Sequence, residues 1–268
     1  MDAGVLFWDS AEVYGYQQHK YQCSSECLLG QALKDMNEMP TTPPTIGSKC
    51  FTIPWTNLLV GGSPRFGSKA LVEALRASVE RLGGRPLDLW SIHFPFPTFG
   101  QDVLMDALKE GVESGLTKAV GVSNYNAKQL EEAQRILGDA IPIASNQIKY
   151  SMLDRKAERE GLISLANDMD VCLVAYSPLD SGKLTAAGKE AGAKDVTELC
   201  KVMEFVGAVN GGKSIAQVAL AFVVGKGLLP IPSARSPEQV VEHAAVLDWR
   251  LDENEMGIID EKLAYLKL

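Results

Sequence analysis

Asp9, Tyr14, Lys49 and His93 carry side-chain groups that suit one proton-coupled reaction. When a carbonyl carbon accepts a hydride, negative charge grows on its oxygen and a general acid must deliver a proton there. A phenol such as Tyr14, with an ordinary pKa of ~10, is too weak an acid at neutral pH. A neighbouring ammonium, Lys49, lowers that pKa by favouring the phenolate. A carboxylate, Asp9, paired with the lysine keeps the ammonium charged and in place. An imidazole, His93, orients the carbonyl by a hydrogen bond and helps to stabilise its oxygen.

These residues stand at or just after the ends of short apolar runs that read as buried strands. Val5–Asp9 ends in the carboxylate and leads into Tyr14-Gly15, Thr45–Lys49 ends in the lysine, and Leu87–His93 ends in the histidine. Further strands are expected at Ala119–Ser123, Ile143–Gln147, Val171–Tyr176 and Leu228–Ile231. Between them lie segments of helical periodicity: Cys27–Asp35, Gly67–Leu82, Asp102–Gly115, Ala127–Leu137, Arg155–Asp168, Ser214–Val224, Pro237–Ala245 and Asp252–Leu263. Thr185–Gly212 is less regular, with one helix expected around Val196–Val209.

Strand alternating with helix implies βαβ units and a parallel sheet, in a singly wound barrel or a doubly wound sheet. In a barrel, groups at the C-terminal ends of successive strands converge on one mouth. A closed (β/α)₈ barrel has eight strands and seven are recognisable, so the first βα unit is expected to be missing. The length of 268 residues suits a single domain over 1–268, with no interdomain linker and no internal repeat.

The formal net charge is −8 without a basic block, which argues against nucleic acid or an anionic membrane as partner. No apolar run reaches membrane-spanning length. Five cysteines, an odd number in a long chain, favour a reducing compartment over a disulfide framework. That points to the cytoplasm, or to a plastid if a longer precursor exists; Met1–Gly4 carries no targeting features. His19, Cys23 and Cys27 share a spacing of four but lack a fourth ligand, so no metal site is expected. A hydrolase built on Asp9 and His93 is disfavoured because no Gly-x-Ser-x-Gly elbow occurs. No Gly-x-Gly-x-x-Gly follows any strand, so the Rossmann fingerprint is missing.

W-D-S-A-E-V-Y-G, I-G-S-K and L-W-S-I-H-F-P together resemble the signatures of the aldo-keto reductases. The resemblance implies a TIM barrel, a tetrad of Asp9, Tyr14, Lys49 and His93, and NADPH bound extended without a Rossmann domain. It extends down the chain. G-V-S-N-Y resembles the segment whose Ser and Asn hold the nicotinamide carboxamide, here Ser123 and Asn124, and S-N-Q-I-K-Y-S supplies Gln147. V-A-Y-S-P-L implies Tyr176 stacked on the nicotinamide, with Ser177, Leu179 and Ser181 near the pyrophosphate. I-P-S-A-R-S-P-E-Q-V-V-E-H implies Arg235 and Ser236 on the 2′-phosphate, at a helix N-terminus that favours anions, and Gln239 and Glu242 by the adenosine.

The implied activity is reduction of a small carbonyl substrate, an aldehyde or ketone, with Tyr14 as general acid. The alternatives are a non-catalytic NADPH-binding or partner-binding barrel and an inactive truncated enzyme. Trp55 and Phe94 are expected to wall an apolar pocket. The chain departs from the family pattern in its front unit, in the short segment after Gly182, in Ser233 and His243, and in Asp180, whose charge is expected near the pyrophosphate. The oligomeric state is not legible from these features.

Overall fold

The computed structural model describes residues 4–15, 24–36, 42–54 and 64–268. Strands and helices alternate. The strands are β1 (Phe7–Asp9), β2 (Thr45–Cys50), β3 (Leu87–Ile92), β4 (Thr117–Ser123), β5 (Ile143–Lys149), β6 (Cys172–Tyr176) and β7 (Leu229–Ile231), in one sheet ordered as in the sequence. His19, Cys23, Trp55 and Gly61-Gly62 lie outside the described residues.

The chain divides into two compact units, Val5–Asn146 and Gln147–Leu268. In the first, β1, β2, β3 and β4 pair in parallel, with Asp9 opposite Gly47, Lys49 opposite Ser91, and Ser91 opposite Gly121. This register sets Asp9 two residues lower along the ladder than Lys49, so the carboxylate reaches the lysine from the neighbouring strand. Gly121 lies where an added Cβ would come within 2.6 Å of the Ser91 and Ser145 hydroxyls, so only a glycine fits there.

Four helices of this unit lie among the described residues. In α1 (Ser25–Asp35), Ser24 caps the first turn by accepting from the Cys27 N–H. In α2 (Gly67–Arg81), Leu71, Leu75 and Val79 are buried at helical spacing. α3 (Gln101–Glu113) and α4 (Ala127–Leu137) follow. In α4, Asn126 and Gln129 form a reciprocal capping box.

In the second unit β6 and β7 pair in parallel. The helix expected over Arg155–Asp168 is two helices, α5 (Lys156–Arg159) and α6 (Leu162–Asp168). Gly161 between them adopts a left-handed conformation, φ 73°, that ends one helix and starts the next. Thr185–Gly212 likewise holds two helices, α7 (Ala186–Ala191) and α8 (Lys194–Val209). The first of these is short and buries no side chain, which is why periodicity did not reveal it. Helix α9 (Ile215–Gly225) is apolar almost all round because it is buried at the centre of this unit's core, with Leu199, Met203, Val206, Ile259 and Leu263. α10 (Pro237–Ala244) and α11 (Glu253–Leu266) complete it.

Candidate active site

Lys49 is 1% exposed, and its Nζ donates to Asp9 Oδ2 at 2.5 Å and to the Ser10 carbonyl at 2.7 Å. Burial pulls the ammonium below its ordinary pKa, and the adjoining Asp9 carboxylate opposes that pull. A buried amine held by a carboxylate and a carbonyl stays oriented, since leaving either partner exposes a charge in a dry setting. The same Nζ lies 5.0 Å from the centroid of the Tyr14 ring. Tyr14 itself is 38% exposed, so its phenol is accessible while its ring rests beside the buried ammonium.

His93 adjoins Tyr14 edge to face, with centroids 5.6 Å apart. It is 7% exposed, and burial together with the Lys49 charge depresses its pKa to about 3. The imidazole is therefore neutral at physiological pH and able to donate from one nitrogen. Its Nδ1 is buried without a hydrogen-bond partner among the described residues. The ring is stacked on Phe94 at 5.1 Å and meets the edge of Phe51 at 5.5 Å, and both of these contact Phe96. Phe94, expected to wall an apolar pocket, stacks on the histidine; Phe51 meets the histidine and Phe96 packs on both phenylalanines, and neither of these two was singled out from sequence.

Tyr14 is positioned by its loop and by α1. Ser10 N–H donates to Gly47 O and Glu12 N–H to Lys49 O, so the chain after β1 keeps following β2. Tyr14 N–H then donates to Ala11 O, closing a turn, and the Ser25 N–H in the first turn of α1 donates to Tyr14 O. At the end of β4, Ser123 is buried and Asn124 adopts a left-handed backbone, φ 63°. Asn124 Nδ2 donates to the Ser123 hydroxyl at 3.0 Å and to His93 O at 3.1 Å, tying this strand end to the histidine.

In the second unit Gln147 is buried near the end of β5 and Tyr176 is half-buried at the end of β6. Ser177, Asp180 and Ser181 all have left-handed backbones, φ 53°, 46° and 57°. Non-glycine residues in that region cost energy and cluster where a loop is shaped for a task. Leu179 begins the 3₁₀ turn Asp180–Gly182. Asp180 does not present an uncompensated charge: Lys183 Nζ lies 2.8 Å from one of its oxygens and Lys149 Nζ 3.8 Å from the other. The expected repulsion at this loop is thereby offset by two lysines.

Arg235 is exposed just before α10, where Ser236 caps the helix by accepting from Gln239 N–H and Pro237 opens it. Gln239 accepts the Arg235 N–H at 2.7 Å, so its side chain shapes this turn. Glu242 accepts from the Ser214 hydroxyl at 2.5 Å, which ties α10 to the start of α9.

Two buried carboxylates escaped the sequence reading. Glu12 lies inside the Asp–Tyr motif, and Glu26 in α1 accepts from Ser48 and Arg81 at 2.5 and 2.6 Å. A second carboxylate in the same short motif as Asp9 is the signal for Glu12; Glu26 had none beyond the helix start.

The alternating helices and parallel strands are of the α/β barrel type. The aldo/keto reductase family model matches residues 1–264, and the chain belongs to that family. It is 29% identical over 277 residues to the chloroplastic pyridoxal reductase of Arabidopsis thaliana, covering 95% of this chain and 72% of that protein. The thermostable aldo-keto reductase Tm1743, solved with the inhibitor epalrestat, shares 30% identity with a TM-score of 0.79, over 97% of this chain and 83% of that one. An aldo-keto reductase from Klebsiella pneumoniae solved with NADPH shares 25% identity with a TM-score of 0.76, over 97% and 80% of the two chains. No helix among the described residues is long and apolar enough to cross a membrane.

Proposed function

We propose that the protein reduces aldehydes or ketones to alcohols with NADPH, using Tyr14 as the proton donor. The observation that carries this reading is the buried Lys49, held at 2.5 Å by Asp9 with its ammonium 5.0 Å from the Tyr14 ring. Tyr14 Oη would release its proton to the substrate oxygen as charge develops there, and Lys49 would stabilise the phenolate left behind. Asp9 holds Lys49 so that it meets the phenol in one orientation. His93, kept neutral, would donate a hydrogen bond to the same substrate oxygen and set the angle of the carbonyl. Phe51 and Phe94 give the imidazole apolar neighbours, and Phe96 packs on both of them, which limits water beside the ring.

The residues present fit an NADP-type dinucleotide. Left-handed backbones at Asn124, Ser177 and Ser181 support the reading that those loops are shaped for a ligand. We assign Ser123, Asn124, Gln147 and Tyr176 to the nicotinamide, and Ser177, Leu179 and Ser181 to the pyrophosphate. Arg235 and Ser236 are assigned to the 2′-phosphate, where an exposed guanidinium adjoins a helix N-terminus. Gln239 and Glu242 are assigned to the adenosine side. When bound, the dinucleotide supplies the hydride.

Titration with NADPH, followed by tryptophan fluorescence, and then addition of 4-nitrobenzaldehyde tests the proposal. Saturable quenching followed by NADPH consumption is the expected result. Quenching without consumption would favour a binding protein, and a folded protein that neither binds nor turns over would overturn the reading.

A further inference from the structure

Glu12 stands between Asp9 and Tyr14 in the sequence and is buried. Its backbone N–H donates to Lys49 O at 3.2 Å, and its side-chain Oε1 accepts the Phe51 N–H at 2.6 Å. In a parallel ladder, one residue donates to the carbonyl before its partner and accepts from the N–H after it. With Cys50 as the facing residue, Glu12 meets both requirements, but its carboxylate replaces its own backbone carbonyl as acceptor. The chain after β1 can therefore leave the sheet and form the Tyr14 turn while β2 keeps its last rung.

The same Oε1 accepts from Arg65 Nη1 at 2.7 Å, and the Arg65 N–H donates to Pro54 O. Side-chain exposure of the pair is 8% for Arg65 and 5% for Glu12. One carboxylate oxygen thus joins the loop that carries Tyr14, the residue after β2 whose ring meets His93, and the segment that enters α2. Among the described residues, the titratable groups beside Glu12 include the Arg65 guanidinium and, on β2, the buried Cys50 thiol, whose pKa is pushed up by burial and by Glu12. Among the groups beside Tyr14 are Lys49 on β2 and His93 just after β3.

We propose that Glu12 and Arg65 are a positioning pair that holds the Tyr14 phenol against Lys49 and, through Phe51, holds His93 beside it. The inference rests on the reading of Tyr14 as proton donor. Removing the pair lets the Tyr14 turn relax away from the ammonium. The sign of the consequence separates positioning from simple electrostatics. Loss of the Glu12 charge acting through space would make Tyr14 easier to ionise, whereas separation from Lys49 makes it harder.

The test compares wild type, Glu12→Gln and Arg65→Lys, each also carrying Tyr14→Phe as its own blank. Ultraviolet difference titration of tyrosinate isolates Tyr14 and needs neither cofactor nor turnover. In Glu12→Gln, Tyr14 should ionise about one pH unit higher than in wild type. The kcat should fall on the order of tenfold with its basic limb moved the same way, and NADPH affinity should be unchanged. Arg65→Lys, which keeps a cation, should show the same changes to a smaller extent. It supplies the measurement if Glu12→Gln does not fold.

A Tyr14 titration that is unchanged or moved downward in the variants would overturn the pair's role, even if activity fell with stability. An upward shift in a protein that reduces no carbonyl would uphold the pair and overturn only the proposed function.

Discussion

At the scale of residues, the site depends on charges kept apart from water. His93 should remain neutral throughout the range in which the protein is folded, because its pKa lies at about 3. Replacement of Tyr14 by Phe should abolish reduction, by a factor on the order of 10³ or more, while NADPH affinity measured by fluorescence stays the same. Full turnover in that variant would remove Tyr14 from the role of proton donor. The histidine also predicts a pH dependence of stability. The unfolded chain binds a proton at His93 near its ordinary pKa of ~6.5 and the folded chain only near 3. The unfolded state therefore holds more protons between these values, and this group lowers stability as pH falls through that window, by up to a few kcal/mol. Urea unfolding of wild type and His93→Asn at pH 7 and pH 5 checks it. The gap between the two should shrink or reverse at the lower pH, and a constant gap would contradict the burial argument.

At the scale of elements, strand ends and helix starts place these residues. That Asp9, Tyr14, Lys49 and His93 come together was legible because each ends an apolar run or follows one closely, a pattern that strand periodicity exposes. The Glu12–Arg65 pair was not, because its members are 53 residues apart and Arg65 sits in a loop with no periodicity. Nor was the break at Gly161, since the apolar spacing continues across it and only the left-handed backbone interrupts the helix. Helix α1 illustrates how an element bears on the chemistry. Gly30 packs its backbone on the end of α2, where an added Cβ would meet Arg81 O at 2.3 Å. Gly30→Ala should therefore push α1 outward and cost about 2 kcal/mol, read as a lower Tm. Since the first turn of α1 holds the Tyr14 carbonyl, kcat should fall with it. A variant as stable and active as wild type would show that the close approach is not needed.

At the scale of the whole molecule, the match to the aldo/keto reductase family extends along nearly all of the chain, residues 1–264. The alternation of strand and helix was legible as βαβ architecture, and the family followed from motifs at strand ends. The compensation of Asp180 by Lys149 and Lys183 was not legible, because it depends on how the turn after β6 folds back. For cofactor choice, Arg235→Ala should weaken NADPH at least tenfold while leaving NADH nearly unchanged, by loss of a charge-assisted phosphate contact. Equal weakening of both would detach Arg235 from the 2′-phosphate. The most direct test of the central claim is NADPH consumption with 4-nitrobenzaldehyde, measured side by side for wild type and Tyr14→Phe at saturating, independently measured cofactor binding. Turnover in wild type and none in the variant, with equal NADPH affinity, is the predicted result. Equal rates in the two proteins, or a wild type that binds NADPH and leaves it unoxidised, would contradict the account.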